Sequence, residues 1–579
     1  MINTSLFFLV VLPIISGFLL FLFGKFDNYK KNISLFIFFL SLLFSVYLAL
    51  KGDFSWSHQV FNNYIPVLGL DKLSRLILVF ANLFGFLICL YSKDYMEAKK
   101  GYFSYLLWLL AFSNLEIMSM EFITFSLSWA VSIGILYGLL RLGSSFSAKK
   151  AAVVLGFSYI CFIIGAYLYS TFIGSSNMFS SGKIIINSPI CWLAFILMLI
   201  GALAKIGSGP LHTWIPTAAE KAPIPVMAIL PASLDKLLGV YILSRICLDF
   251  FVLNEAIMAL LLIIGGLTII FAVMLALVQH DLRKLLAYHA ISQAGYMVLG
   301  LGTGNIIGIL GAIFHMFNNA IYKNGLFLIG GAVEKKRKTF ELDKLGGLAR
   351  YMPLTFLAGL ILALSISGIP PLNGFASKWM IYQGTLQGLA TTTNVFLRFI
   401  YCFALIAAMF GSALTLASFI KFIHAIFLGQ DNSKDKLNTG ESSFNMLSPL
   451  LILSGLCVIL GVFSNSFVNK FIAPSFTFVF DYTGNWNSIV VSLTICLSLI
   501  LGFILWYSMR QKKVREDVFF VGGESGYSAP SFPATEFYKT IPEMPLMTRF
   551  YRVISLEGLD IYNILVAIVT LKWLRKRKK

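Results

Sequence analysis

The sequence predicts an all-α polytopic membrane protein with about 15 transmembrane helices, within a range of 14 to 16. Hydrophobic residues make up 58% of the 579 residues, and charged residues only 12%. No soluble globular protein needs so much apolar surface, whereas a lipid bilayer excludes charge. Apolar runs of about 18 residues or more recur from Asn3 to Ser508, and a spanning helix needs roughly 20 such residues.

The predicted spans follow one another with short polar connections. They are 3–24, 32–50, 73–91, 102–120, 122–142, 150–172, 189–209, 224–248, 254–278, 283–301, 305–330, 353–388, 398–427, 448–470 and 488–508. The first run lacks a charged leader and an obvious cleavage site, so we expect a span and not a signal peptide. Beyond them, 510–556 is predicted to be an extramembrane arm, and 557–574 a surface helix or a short sixteenth span.

The net charge of +19 comes mainly from short clusters of Lys and Arg between the apolar runs. The clusters are Lys25, Lys30 and Lys31; Lys93, Lys99 and Lys100; Arg141, Lys149 and Lys150; Arg283 and Lys284; Lys335 to Lys338; and Arg510 to Arg515. Such juxtamembrane charge marks the cytoplasmic side, so the N-terminus is expected outside and the 510–550 arm inside. The same count places inside the loops 93–100, 141–150, 279–284 and 331–350. We therefore expect a lipid bilayer and no nucleic acid as the partner.

Cysteine usage argues against a metal or redox centre in this chain. The seven cysteines stand singly in apolar runs, and none forms a CxxC or another ligand spacing. We expect no cofactor, no metal and no catalytic centre of the chain's own. If a complex containing it performs redox chemistry, another subunit holds the centres.

Two helices are predicted to break within the membrane. The run 353–388 is interrupted at SISGIPPLNGFASK, and 189–209 continues into ALAKIGSGPLHTWIP. Gly and Pro are tolerated at membrane depth where the backbone lines a protein interior or a wet cavity. Each break carries a lysine, Lys205 or Lys378, and a matched pair of interrupted helices indicates an inverted-repeat transporter. The alternative is that both Gly/Pro runs are ordinary loops.

A few ionisable side chains fall inside the apolar runs, where each costs several kcal/mol or more and by default marks an ion path. They are Glu116, Lys205, Asp235, Lys236, His315, Lys323 and Lys378. A lysine removed from water can lose its proton, and a nearby carboxylate favours its return, so alternating lysines and acids suit a proton relay. His315, Asn319 and Lys323 are spaced four residues apart, which places them on one helix face.

Other roles remain open for several of these residues. Lys205 and Lys378 could extend to a lipid interface, and Lys323 could anchor the end of a span. For two further histidines near span ends, His212 and His289, we expect structural roles.

Four segments, in this order and spacing, resemble the proton-conducting, antiporter-like membrane subunits of respiratory complex I. The same superfamily includes Mrp-type cation/proton antiporters and energy-converting membrane-bound hydrogenases. The segments are AKIGSGPLHTWIPTAAEKAPIPV, HDLRKLLAYHAISQAGYMVLGLG, IFHMFNNAIYKNGLFLIGG and SISGIPPLNGFASKWMI. The resemblance covers roughly 70–430 and implies two inverted five-helix repeats, each with one discontinuous helix. The chain would then divide into N-terminal helices 1–100, half-channels 101–250 and 251–430, C-terminal helices 431–509 and a terminal region 510–579.

The resemblance also implies roles for individual residues. The family's lysines on the first broken helix, the following helix and the second broken helix are matched by Lys205, Lys236 and Lys378. Its central polar axis is matched by His315 and Lys323, and Asn319 stands where many members have a second histidine.

One departure concerns the partner of Lys205. The family usually has a glutamate directly after a tryptophan on the fifth helix, but here Ala130 follows Trp129. A buried lysine needs a counter-charge to switch state, so we expect another acid to replace this glutamate.

Glu116 on the fourth helix is the predicted replacement, with Asp235 as the second choice. Glu116 lies about one turn deeper than Glu121, and Asn114 and Ser119 are expected to solvate it. Glu121 is expected in the turn between two helices, facing water.

These features predict a proton- or Na⁺-translocating subunit of a redox-driven complex, either complex I-like or a membrane hydrogenase. Its expected partners are other membrane subunits and a peripheral redox arm, in a prokaryotic cell membrane. The first alternative is a subunit of an Mrp-type sodium/proton antiporter, and the second a non-conducting membrane scaffold.

Overall fold

The computed structural model describes residues 5–22, 27–57, 67–96, 101–179, 182–430, 440–476, 487–509, 534–554 and 560–569, and this part of the chain is mostly helical. The helices of the described residues are α1 (Phe7–Leu22), α2 (Asp27–Lys51), α3 (Lys72–Tyr95), α4 (Tyr102–Met118), α5 (Phe122–Arg141), α6 (Ser145–Ile173), α7 (Pro189–Ile206), α8 (Trp214–Ala219), α9 (Ile224–Phe250), α10 (Glu255–Leu277), α11 (Leu282–Gly302), α12 (Ile306–Arg337), α13 (Pro353–Ser367), α14 (Asn373–Thr391), α15 (Val395–Leu428), α16 (Phe444–Val462), α17 (Ser464–Phe467), α18 (Ser488–Ser508), α19 (Thr540–Glu543), α20 (Pro545–Ile554) and α21 (Ile561–Val569). A π-helical turn, Val468–Ile472, continues α17, and the 3-10 turns are Leu342–Lys344, Leu348–Arg350, Ala473–Ser475 and Ala534–Tyr538.

Among the described residues, ten helices are long and apolar enough to cross a membrane, and three shorter ones are also apolar. The ten are α2, α3, α5, α6, α7, α9, α10, α15, α16 and α18; the shorter ones are α1, α4 and α13. The predicted spans 283–301 and 305–330, now α11 and α12, and the second part of the broken span 353–388, now α14, are helical but carry buried polar side chains, which lower their hydropathy. The prediction of a helical, multi-pass membrane protein is confirmed, and the total of about 15 spans stays a prediction.

A small antiparallel sheet between α2 and α3 was not predicted. It consists of β1 (Phe54–Ser57) and β2 (Val67–Leu70), with Phe54 opposite Leu70. The polar connection between two apolar runs gave no hairpin signal, because strands of four residues show hardly any alternation.

Both predicted breaks are present, and the helix before each break begins and ends with the same residue types. The helices α7 and α13 each begin with proline in the first turn, Pro189 or Pro353. Each ends at a glycine in the left-handed region, Gly207 with φ 75° or Gly368 with φ 82°. Non-helical backbone follows each glycine and contains a cis peptide bond, at Gly209–Pro210 or Pro370–Pro371. Glycine is the residue that adopts this conformation without a Cβ penalty, so sequence alone places both helix ends.

The helices pack as two groups that meet at α9 and α12. In the first group, α4 packs on α5, α5 on α6, α6 on α7 and α7 on α9. In the second, α10 packs on α11 and α15, and α12 packs on α11 and α14. The helix α12 is buried almost from end to end, and it also contacts α9 of the first group.

Several connections that the charge pattern assigns to one side lie on one face of the bundle. Asp281 forms an isolated β-bridge with Glu341, and Lys335 Nζ donates to the Asp94 carbonyl at 2.5 Å. The loops after α3, α10 and α12 therefore meet, as the positive-inside count requires. Other residues on which that count rests, among them Lys25, Lys99, Lys100 and 510–515, lie outside the described residues.

The C-terminal strap, defined as 534–554 and 560–569, lies along this same face. It contacts α15, then α10, then α6. In chain order the contacts are Tyr538 with the Ala417 carbonyl at 3.0 Å, Phe550 stacked on Phe271 at 5.5 Å, Tyr551 with the Met274 carbonyl at 3.1 Å, and Asp560 paired with Lys150. The part of the predicted arm that is described thus packs on both helix groups, while 510–533 and 570–579 lie outside the described residues.

Gly207→Ala should destabilise the protein by about 1–2 kcal/mol through the left-handed backbone alone. The added Cβ would also lie 2.1 Å from Ile215 Cδ1. Thermal unfolding of the purified protein in detergent measures the loss as a fall in Tm. The matched control is Gly156→Ala in α6, where a Cβ meets nothing within 4 Å and helix propensity improves. Equal Tm values for the two variants would contradict this account of the break.

Candidate functional site

The ammonium of Lys205 lies between two carboxylates at the first break. Its Nζ is 2.9 Å from Glu116 Oε2 on α4 and 3.1 Å from Asp235 Oδ1 on α9. The Trp129 ring covers the same ammonium, with 4.7 Å between Nζ and the ring centroid. Ser132 Oγ donates to Glu116 Oε1 at 2.7 Å. The predicted contact between Glu116 and Lys205 is confirmed, and both side chains are buried.

Two details of that prediction are wrong. Asn114 and Ser119 do not solvate Glu116, because Asn114 bonds the Leu9 carbonyl and Ser119 bonds the Leu115 carbonyl. Glu121 is not exposed to water, since only 8% of it is accessible. It precedes α5 in a tight join between two helices, and neighbouring backbone covers it.

Asp235 and its neighbour Lys236 point in different directions, as their spacing of about 100° on a helix requires. Asp235 faces Lys205, whereas Lys236 Nζ donates to the Ala290 carbonyl of α11. One short stretch of α9 therefore contacts both the first break and the second helix group.

The three predicted residues of α12 are fully buried and face α9, α11 and α14. His315 Nδ1 lies 2.9 Å from Ser377 Oγ, and Nε2 lies 3.2 Å from Gln293 Oε1. Asn319 Nδ2 donates to a carbonyl of α9 at 3.5 Å, and Lys323 Nζ donates to the Leu286 carbonyl of α11 at 2.9 Å. Lys323 is therefore not an interfacial anchor.

Lys378 lies one turn into α14, just after the second break. Its Nζ donates to the Ile366 carbonyl at 2.8 Å and lies 4.8 Å from the Tyr296 ring centroid. The ammonium thus reaches back across the break to the open end of α13. Within the described residues, no carboxylate approaches Lys378 closely enough to form an ion pair. Neither Lys205 nor Lys378 extends to a lipid interface.

Four of the predicted side chains meet α11 at successive turns. Lys323, Lys236, His315 and Lys378 contact, in this order, Leu286, Ala290, Gln293 and Tyr296. These positions are three or four residues apart, so they share one helix face and span about 15 Å. The arrangement is a line of buried proton-binding groups with Lys323 at one end and Lys378, at the second break, at the other. Lys236, the neighbour of Asp235 at the first break, lies within this line.

The family described as "NADH:quinone oxidoreductase/Mrp antiporter, TM" matches residues 113–411, which is more than half of the chain and includes every predicted site residue. The chain belongs to this family. It is accordingly a multi-pass membrane protein.

Among relatives of this family, subunit A1 of a Na(+)/H(+) antiporter from Staphylococcus haemolyticus is 30% identical over 76% of this chain. The match covers 58% of that relative, so the chain spans little more than half of its length. A chain of the membrane-bound sulfane sulfur reductase, an archaeal respiratory membrane complex, aligns with a TM-score of 0.81 and 23% identity, covering 98% of this chain and 95% of that one. A chain of respiratory complex I from Thermus thermophilus aligns with a TM-score of 0.69 and 19% identity over 82% and 98%. Both structures show that the fold is shared.

Sequence reasoning missed the uncharged members of the site. Gln293 bonds His315, Tyr322 bonds Gln293 Oε1 at 3.2 Å, and Ser377 bonds the other nitrogen of His315. Ionisability selects lysines and acids only. The spacing of Gln293 from Tyr296, three residues apart on one helix face, was the available signal.

Lys205→Met should destabilise the protein by about 3–5 kcal/mol, because it leaves two buried carboxylates without a counter-charge. Adding Glu116→Gln should recover part of this loss, so the two substitutions should not be additive. Thermal unfolding of the single and double variants measures the coupling.

The exposed pair of Lys284 and Glu220, 2.7 Å apart, offers the control cycle, and its coupling should stay within about 1 kcal/mol. Additive effects of Glu116→Gln and Lys205→Met would mean that the buried contact carries no energy of its own.

Proposed function

We propose that the chain is the ion-translocating, antiporter-like subunit of a redox-driven membrane complex, with protons as the ion and Na⁺ as the alternative. One observation carries the proposal: Lys205, held between two acids at the first break, is joined by a line of buried groups to Lys378 at the second. Unpaired polar and charged groups are too costly in a membrane interior to be kept for stability alone.

The first break works as a switch in this proposal. Lys205 shares its charge with Glu116 and Asp235, so a proton moved within this cluster changes the field at Lys236, one residue from Asp235. Lys236 and His315 pass the change along α11 to Lys378, and Lys323 lies at the other end of the same line. Lys378 has a carbonyl and an aromatic ring as its neighbours. Its protonation state therefore depends on the charges and protons that reach it along this line.

The finer architecture belongs to the same proposal. About 15 spans would include two inverted five-helix repeats, 101–250 and 251–430, between N-terminal helices 1–100 and C-terminal helices 431–509. The helices α7 and α13 both begin with a proline and end at a left-handed glycine, and this similarity supports the repeat. An outside N-terminus with the 510–550 arm in the cytoplasm of a prokaryotic cell fits the C-terminal strap, which lies on the face where the basic loops meet.

For partners, we propose other membrane subunits and a peripheral redox arm. The fold is shared with chains of two respiratory complexes, which supports this assembly. The second candidate is a subunit of an Mrp-type sodium/proton antiporter, favoured by the 30% identical relative. The third candidate, a non-conducting scaffold, was suggested by Ala130 at the position of the family's glutamate. Glu116 supplies Lys205 with the counter-charge that Ala130 cannot, which argues against this candidate.

Purification of the tagged complex from native membranes separates the two candidates. A redox-driven complex would bring iron–sulfur or flavin subunits with it and acidify or alkalinise inverted vesicles on addition of its electron donor. An antiporter would bring small membrane subunits and respond to an imposed Na⁺ gradient without any donor.

Lys378→Met should abolish ion translocation while the complex still assembles, because the methionine fills the site without holding a proton. Vesicle pH and potential indicators, read against the rate of electron transfer, measure the effect. Lys344→Met is the control, since that lysine is exposed and pairs only with Glu341 at 2.6 Å. Unchanged pumping in Lys378→Met would count decisively against the assigned role.

Lys323→Ala should uncouple ion movement from electron transfer more severely than His315→Ala. The lysine occupies the end of the line on α11, whereas His315 shares its position with Gln293, Tyr322 and Ser377. The ions moved per electron in the two variants provide the comparison. The reverse order would place the principal charge at His315.

A further inference from the structure

His289 lies on α11 between the contacts of Lys323 and Lys236, and the proposed route does not use it. Its side chain is completely buried, yet neither ring nitrogen has a hydrogen-bond partner among the described residues. His315, by contrast, uses both nitrogens. A neutral imidazole has one donor and one acceptor, and leaving such buried groups unsatisfied costs about 1–3 kcal/mol each.

His289 lies against an aromatic ring in a region that also holds several lysines. Its ring lies 4.8 Å from the Phe419 ring, and Lys323 Nζ lies 5.8 Å from the same ring. The charges of Lys323, Lys378 and Lys421 all act on the imidazole. This set of groups is shared by α11, α12, α14 and α15.

Lys421 connects this region with the face where the basic loops lie. Its Nζ donates to the Leu277 carbonyl at 2.7 Å and to the Gln279 carbonyl at 2.8 Å, at the end of α10. Ser418 lies one turn away on the same side of α15, and its buried hydroxyl also has no partner among the described residues. His289, which packs on Phe419, and Ser418, the residue before Phe419, are therefore two unsatisfied polar sites in the region of Lys323 and Lys421.

We propose that His289 is a further proton-relay residue, which binds water through both ring nitrogens and connects Lys323 with Lys421 and the loop between α10 and α11. Buried polar groups are nearly always hydrogen-bonded, and sites with two or more polar partners hold water. The inference rests on the proposed function, and it adds a branch from the line along α11 to the face that carries the basic loops.

The transfer is balanced at the imidazole. One ring nitrogen takes a proton from water that has accepted it from the Lys323 ammonium, and the other releases a proton to water on the side of Lys421. The ring is left in its second tautomer, and either a ring rotation or a proton moving in reverse restores the first. No oxidant or other reactant is needed.

His289→Gln tests the relay against a structural role. Glutamine keeps a donor and an acceptor but does not bind a proton at these pH values, so a structural histidine would be replaced without loss. We expect donor-driven proton movement to fall about tenfold or more in His289→Gln and in His289→Leu, with assembly and electron transfer unchanged.

A pumping rate in His289→Gln equal to that of the native complex would overturn the inference, as would a high-resolution experimental structure with no water at either ring nitrogen. Lys378→Met, measured in parallel, keeps the two proposals apart. If Lys378→Met stops translocation and His289→Gln does not, only the branch through His289 fails. If Lys378→Met pumps normally, the proposed function itself fails.

Discussion

The fold is organised by the need to hydrogen-bond ammonium groups far from water. Lys236, Lys323, Lys378 and Lys421 each donate to a main-chain carbonyl, whose second lone pair is free even within a helix. Lys205, by contrast, relies on two carboxylates. The helix α11, which is buried along most of its length, supplies two of these carbonyls, to Lys323 and Lys236. The breaks in α7 and α13 follow from the same need, because a helix end exposes carbonyls that a continuous helix would satisfy internally.

The two halves differ in how they hold charge. In the first half, one ammonium and two carboxylates lie together, so the cluster can keep a net negative charge or bind a further proton. In the second half, Lys378 and Lys323 have neutral neighbours within hydrogen-bonding distance. A charge placed on the first cluster therefore acts on a row of weakly compensated lysines. This difference favours electrostatic coupling between the two sites, since interactions between buried charges are little screened.

Much of this was predictable from residues that are costly in a membrane. Some residue types are so rare in membrane spans that few roles explain them: the glycines and prolines at both breaks, the lysines beside them and the few acids in apolar runs. Glu116 was found in this way. Gln293, Tyr322 and Ser377 were missed because uncharged polar residues occur in many helices for local reasons. His289 was expected to be structural, since single histidines usually are. The buried position of Glu121 and the hairpin of β1 and β2 depend on how distant segments meet, which no local pattern encodes.

The C-terminal strap contacts α15, α10 and α6, so it touches both groups of helices. A rocking of one group against the other, as in many transporters with repeated halves, would change the distance between the contacts of Asp560 on α6 and of Tyr538 on α15. Rotations of lysine and imidazole side chains, with water moving between them, leave every one of these contacts in place. The contacts of the strap are therefore compatible with movements on the scale of single side chains, whereas a movement of one whole helix group against the other would disturb them.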